Sequence, residues 1–108
     1  MTATHKIAHR ILSTPQEVTT LHRAGVWAVH QDDETKCYLV SHTVTGRKVE
    51  PCNTLTEATE ITDALHAAYP DFAADAEFAG SARFAPGQLE EMRALINDIA
   101  AMHDPETP

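Results

Sequence analysis

The stretch V-W-A-V-H-Q-D-D-E-T-K-C-Y-L-V-S-H-T-V-T-G-R-K-V-E-P-C, residues 26–52, decides the fold. V-W-A-V-H alternates in polarity, Q-D-D-E-T-K is a polar turn, and C-Y-L-V-S-H-T-V alternates again. Thr45-Gly46 then turns the chain and R-K-V-E-P-C returns it. Period-two runs joined by short polar turns predict a three-stranded antiparallel meander, with Pro51 near the end of an edge strand. One face should carry Trp27, Val29, Tyr38, Val40 and His42. The other should carry Ala28, His30, Cys37, Leu39, Ser41, Thr43, Lys48 and Glu50.

The flanks read as helices. S-T-P-Q-E-V-T-T-L-H-R-A-G offers Thr14 as N-cap, Pro15 as first helical residue and Glu17 as the reciprocal member of a capping box. Val18 and Leu21 would face inward, and Gly25 would stop the helix. Residues 4–12 fit either a short helix or an edge strand. After the meander, Thr54 and Glu57 form a second capping box, and Leu55, Ala58, Ile61, Leu65 and Tyr69 recur at helical spacing before Pro70 ends the run. Phe72, Phe78 and Phe84 are spaced for neither element, and a short helix to Gly80 followed by a loop pinned by Phe84 is expected. A last amphipathic helix carries Leu89, Met92, Ile96 and Ile99 on one stripe. The resulting expectation is one α+β domain over residues 1–103, in the order α-β-β-β-α-α. Its sheet would be packed on one face by helices, and a tail over 104–108 would be frayed. Trp27, Val29, Tyr38, Val40, Ile61, Leu65, Leu89, Ile96 and Ile99 are the expected core.

Composition narrows function. With 108 residues, 43% hydrophobic and 22% charged, the chain suits a single folded domain. No apolar run is long enough to span a membrane, the N-terminus lacks a signal core, and two cysteines make no disulfide framework, so a cytoplasmic protein is expected. The net charge of −8 is concentrated late: residues 57–108 hold eleven acids against Arg83 and Arg93. Such a field repels phosphate backbones and attracts basic surfaces.

Chemistry-bearing motifs are sparse. There is no G-x-x-x-x-G-K, no G-x-G-x-x-G and no H-E-x-x-H, and no serine or cysteine is paired with a base, so a non-enzyme without cofactor is expected. If Thr45-Gly46 were a two-residue turn, Leu39 would oppose Cys52 and leave Cys37 diagonal to it, too far for a disulfide; a bulged three-residue turn would shift the register by one and put the cysteines on opposite faces. A four-residue turn over Asp32–Thr35 would set His30 against Cys37 and place both on one face with Cys52. Three such ligands fall short of the four that structural zinc takes, and no metal site is expected.

The helix-strand-strand-strand-helix order over 14–69 resembles the double-stranded RNA-binding domain. That family's second helix opens with a lysine-rich K-K-x-A-K, where this chain has T-L-T-E-A-T-E with Glu57 and Glu60. Residues 26–69 also resemble the three-stranded arm-binding domains of phage integrases, yet the outward sheet face offers one lysine. Both departures point away from direct nucleic-acid binding. The pattern W-A-V…Y-L-V-S-H-T-V-T-G-R-K-V…L-T-E-A over 27–58 is similar to a hairpin-helix unit of small phage and mobile-element proteins. That resemblance implies a setting in which small proteins inhibit host machinery, an anti-CRISPR being one concrete form.

The expected interaction surface is therefore acidic. Glu57, Glu60 and Asp63 step along one helix, Asp71, Asp75 and Glu77 follow, and Glu90, Glu91 and Asp98 lie on the last helix. Together they would engage a basic protein surface, such as that of a nucleic-acid-binding complex. The acidic binder would be a monomer or homodimer; the alternative is a homodimeric accessory or structural protein of a mobile element, associating through its C-terminal amphipathic helix or the outer sheet face.

Overall fold

The computed structural model describes residues 3–8, 15–80 and 83–103. Within them the chain forms six strands followed by two helices. The strands are β1 (Thr4–Ala8), β2 (Pro15–Thr19), β3 (His22–Ala24), β4 (Trp27–Gln31), β5 (Tyr38–His42) and β6 (Arg47–Cys52). The helices are α1 (Leu55–Ala68) and α2 (Gln88–His103). The fold is α+β with two antiparallel sheets, a two-stranded β1-β2 hairpin and a four-stranded β3-β4-β5-β6 meander.

The expected meander is present and gains a strand on its β4 edge. The segment expected as a helix ending at Gly25 instead forms β2 and β3, and Leu21 is exposed. Thr14, its expected cap, lies outside the described residues, as does the 104–108 tail. Gly25, at φ +60°, opens the two-residue turn that joins Ala24 to Trp27, the glycine-first arrangement of a tight hairpin. A glycine suited to ending a helix is equally suited to starting this turn. Tertiary pairing decides between them: Pro15–Thr19 finds a partner in Thr4–Ala8, from Ala8 opposite Pro15 to Thr4 opposite Thr19.

The sheet has two differently covered faces. On one, Trp27, Val29, Val40 and Cys52 pack with Ala58, Ile61 and Leu65 of α1 and Met92, Ile96 and Ile99 of α2. Ile61 and Leu65 are fully buried, each worth about 1.5–3 kcal/mol relative to exposure. Tyr38 packs at the edge of this core, while Leu89, expected within it, is 47% exposed. Helix α1 begins where its cap predicts: Thr54 Oγ1 accepts the backbone N–H of Glu57 at 3.1 Å. Pro70 follows the Tyr69 cap.

The opposite face is covered over β4 and β5, while Lys48 and Pro51 of β6 stay exposed. The β1-β2 hairpin lies over it, burying Ala28, His30, Leu39 and Ser41 together with its own His5 and Ile7. Ala8 N–H donates to Gly46 O at 2.7 Å, tying β1 to the β5–β6 turn. Gly46 is at φ +75°, and a Cβ there would meet the Phe78 ring at 2.5 Å and Ala8 N at 2.7 Å. The short helix expected before Gly80 is absent. Residues 70–80 form a chain of turns, with Ala73 and Ala79 at positive φ, where helical hydrogen bonding cannot continue.

Candidate functional site

The acidic residues distribute over the helical layer and the turns beside it. α1 and α2 pack together, and the last turn of α2 reaches the second turn of α1, where His103 Nε2 lies 2.9 Å from Glu60 Oε2. Asp63 Oδ1 is 2.7 Å from His22 Nε2 of β3. Glu60 and Asp63 thus share the exposed side of α1, whereas Glu57 is buried and offers little to a partner. Glu90 and Glu91 occupy the first turn of α2, where carboxylates favour the helix N-terminus. Asp98 is exposed further along, and Met102, four residues later on the same side, is 73% exposed. Asp71, Asp75 and Glu77 are exposed on the turns after α1, a separate group from those on the helices. Of the lysines and arginines only Arg93 stands on either helix, and its Nη1 donates to Glu50 Oε1 at 2.9 Å.

The cysteine and histidine readings resolve through strand register. The loop between β4 and β5 spans Asp32–Cys37, two residues longer than a four-residue turn, so His30 pairs with Leu39 and not with Cys37. The β5–β6 connection is Thr43–Gly46, and an irregularity at Val40/Ser41 shifts the pairing beyond it. Cys52 therefore opposes Tyr38, on the helix-covered face, while His30 points to the hairpin-covered one. The three residues do not share a face. Both cysteines are free, and among the described residues no group of three or more His, Cys, Asp or Glu side chains could hold a metal ion. Burial pushes the Cys52 thiol up to about 12, with Glu57 and Glu50 adding to the effect.

His42 is the packed histidine its neighbours suggest. Its Nε2 lies 2.6 Å from Phe72 O, which can only accept, so Nε2 carries the proton. Nδ1 then accepts from the Thr45 hydroxyl at 3.0 Å. Burial lowers the His42 pKa, and the bond to Phe72 only partly opposes that shift. Arg47 holds the same turns from outside, donating Nε to Gly80 O at 2.7 Å and an Nη to Ala79 O at 2.8 Å.

Two features have no counterpart in the sequence reading. A layer of buried polar groups lies between the sheets: His5 Nε2, His30 Nδ1 and Ser41 Oγ have no hydrogen-bond partner among the described residues. The second is a cleft of about 430 Å³ beside α2, over Trp27 and Phe72. Its walls come from four distant segments, and only the unassigned phenylalanines hinted at it. Both surfaces offered to a homodimer are largely covered within the chain: the outer sheet face by β1-β2, and the α2 stripe by the core, except for Leu89. Among the described residues no helix is long and apolar enough to cross a membrane. The chain matches no protein-family model, no curated protein and no solved structure.

Proposed function

We propose that this is a non-catalytic binding protein that presents its acidic helical layer to a basic surface of a partner protein. The observation that carries this reading is the pairing of charge and exposure on α1 and α2. Glu60, Asp63, Glu90, Glu91 and Asp98 are all exposed there, and the single arginine is held by Glu50. Exposed Met102, on the Asp98 side of α2, supplies the apolar anchor that a carboxylate surface needs to bind with more than long-range attraction. Asp71, Asp75 and Glu77 widen the same negative field without being needed for the contact. A partner whose basic groove normally takes nucleic acid fits this chemistry, and inhibition by occupying that groove, as an anti-CRISPR does, is the concrete form of the proposal.

The test is affinity capture from cell lysate with the natural chain and with a Glu60→Lys, Asp63→Lys, Asp98→Lys variant of verified fold. Captured proteins should be basic, should elute as salt rises, and should be lost with the variant. Retention of the same proteins by the charge-reversed variant at low and high salt would overturn the reading.

A further inference from the structure

The cleft beside α2 is chemically unlike the rest of the surface. Its base is aromatic: Trp27 and Phe72 are stacked, centroids 5.8 Å apart and planes 14° from parallel, and Phe84 tilts against Phe72 at 5.1 Å. Met92 and Ile96 of α2 close one side. Phe84 is 40% exposed and Leu89 47%, so apolar surface reaches the mouth. Two arginines, Arg47 and Arg93, also line it. Of the described residues lining the cleft none is acidic, in a chain with sixteen acids and eight lysines and arginines.

We infer that this cleft binds a small aromatic carboxylate, with its ring against Phe72 and Phe84 and its carboxylate toward the arginines. Size, shape and charge agree. About 430 Å³ falls within the range of small-molecule sites and accommodates one or two fused rings. Stacked aromatic side chains favour a planar apolar body. Arg47 spends two of its five N–H donors on the carbonyls of Ala79 and Gly80, which orients the guanidinium and leaves three donors. Arg93 is oriented in the same way by Glu50, and its side chain remains 48% exposed. Pre-oriented guanidinium groups beside an aromatic wall select an anion over a neutral analogue of the same shape. The site is independent of the acidic helical layer, since it needs none of Glu60, Asp63 or Asp98.

The test uses 2-naphthoate and its neutral isostere 2-naphthamide as probes, with calorimetry for affinity. The indole N–H signal of Trp27, the only tryptophan, reports location. Naphthoate should shift that signal and bind at least roughly tenfold more tightly than the amide, the worth of one charge-assisted hydrogen bond. Arg93→Ala should reduce that preference, with Arg47 still in place. Phe84→Ala, at an exposed ring, should weaken both probes, whereas Met102→Ala should weaken neither. Equal affinity for the two probes, an unchanged preference in Arg93→Ala, or no Trp27 shift at millimolar naphthoate would each overturn the inference.

Discussion

His5 and His30 meet across the two sheets, ring centroids 5.6 Å apart and planes at 67°, and both are buried. Burial lowers His5 to about 4, and His30 and Arg23 push the same way. His30 is also lowered by burial and by Lys48, while Asp32 and Asp33 oppose the shift. Thr20 Oγ1 lies 2.7 Å from His5 Nδ1 and fixes the position of that ring. In the unfolded chain each histidine takes up a proton near pH 6.5, before the folded one does. Stability is therefore complete above pH 6.5 and falls as pH drops toward about 4. For His5 the limit is on the order of 3 kcal/mol. His30→Leu removes one of these groups, and with it an Nδ1 that has no hydrogen-bond partner among the described residues. Urea denaturation should show the variant more stable than the natural chain at pH 5 and within about 1 kcal/mol of it at pH 7.5. Parallel pH profiles for the two proteins would refute the assignment.

Gly25 and Gly46 make a matched pair for separating backbone cost from steric cost. Both have positive φ, so alanine at either loses about 1–2 kcal/mol to the left-handed conformation. At Gly25 the added Cβ meets the His66 ring at 2.6 Å, but His66 is exposed and can swing away. At Gly46 it meets Ala8 N at 2.7 Å, backbone that already donates to Gly46 O and cannot yield. Gly25→Ala should cost about 1–2 kcal/mol, and Gly46→Ala more than about 3 kcal/mol, as read from urea midpoints. Equal losses would mean that β1 does not press on the β5–β6 turn.

The two cysteines should respond differently to a thiol reagent. Cys52 is buried beside Ala58 and Ile61 with its thiol pushed up to about 12, so little thiolate forms at pH 8. Cys37 is half-buried in the β4–β5 loop. A native protein should consume close to one equivalent of Ellman's reagent quickly, and a second only on denaturation. Labelling lost in Cys37→Ser would confirm the assignment, and two fast equivalents would contradict it.

What the sequence disclosed follows from where information is local. The β4–β6 meander and α1 carry their signals within a few residues: alternation around Trp27 and Tyr38, the Thr54 cap and the Pro70 stop. The N-terminal third does not. Pro15, Glu17 and Gly25 sit at helix-start and helix-stop spacing, yet Pro15–Thr19 is a strand because Thr4–Ala8 lies beside it. Val18, Thr19 and Thr20, three β-branched residues in a row, were the one local sign of extended chain. Burial of the outer sheet face was invisible for the same reason, since it depends on that hairpin folding back. Leu89 fits the apolar stripe of α2 in period but sits in its first turn, beyond the end of the core, where it borders the cleft. The acidic residues were legible as charge but not as geometry, so burial of Glu57 and the histidine contacts of Glu60 and Asp63 required the fold.

His42 is the residue on which the cleft and the core jointly depend. It lies against Trp27, centroids 5.1 Å apart, and joins Phe72 of the turns to Thr45 of the β5–β6 connection. His42→Ala removes both bonds, leaves Phe72 O without that donor, and opens space under the Trp27–Phe72 stack. A loss of about 2–4 kcal/mol is expected from the cavity and the broken hydrogen bonds together. His42→Asn keeps a donor but is shorter, so it should recover part of that loss and none of the ring contact. Arg47→Ala, by contrast, frees the Ala79 and Gly80 carbonyls at an exposed site, where water replaces the guanidinium, and should cost about 1 kcal/mol or less. Hydrogen exchange separates the cases: His42→Ala should expose the Ala79 amide, which donates to Thr45 O at 2.7 Å, and destabilise the whole molecule. Arg47→Ala should speed exchange at Ala79 alone. Global loss in both variants would show that the turns fold as one unit with the sheet, and local loss in both would remove His42 from the core.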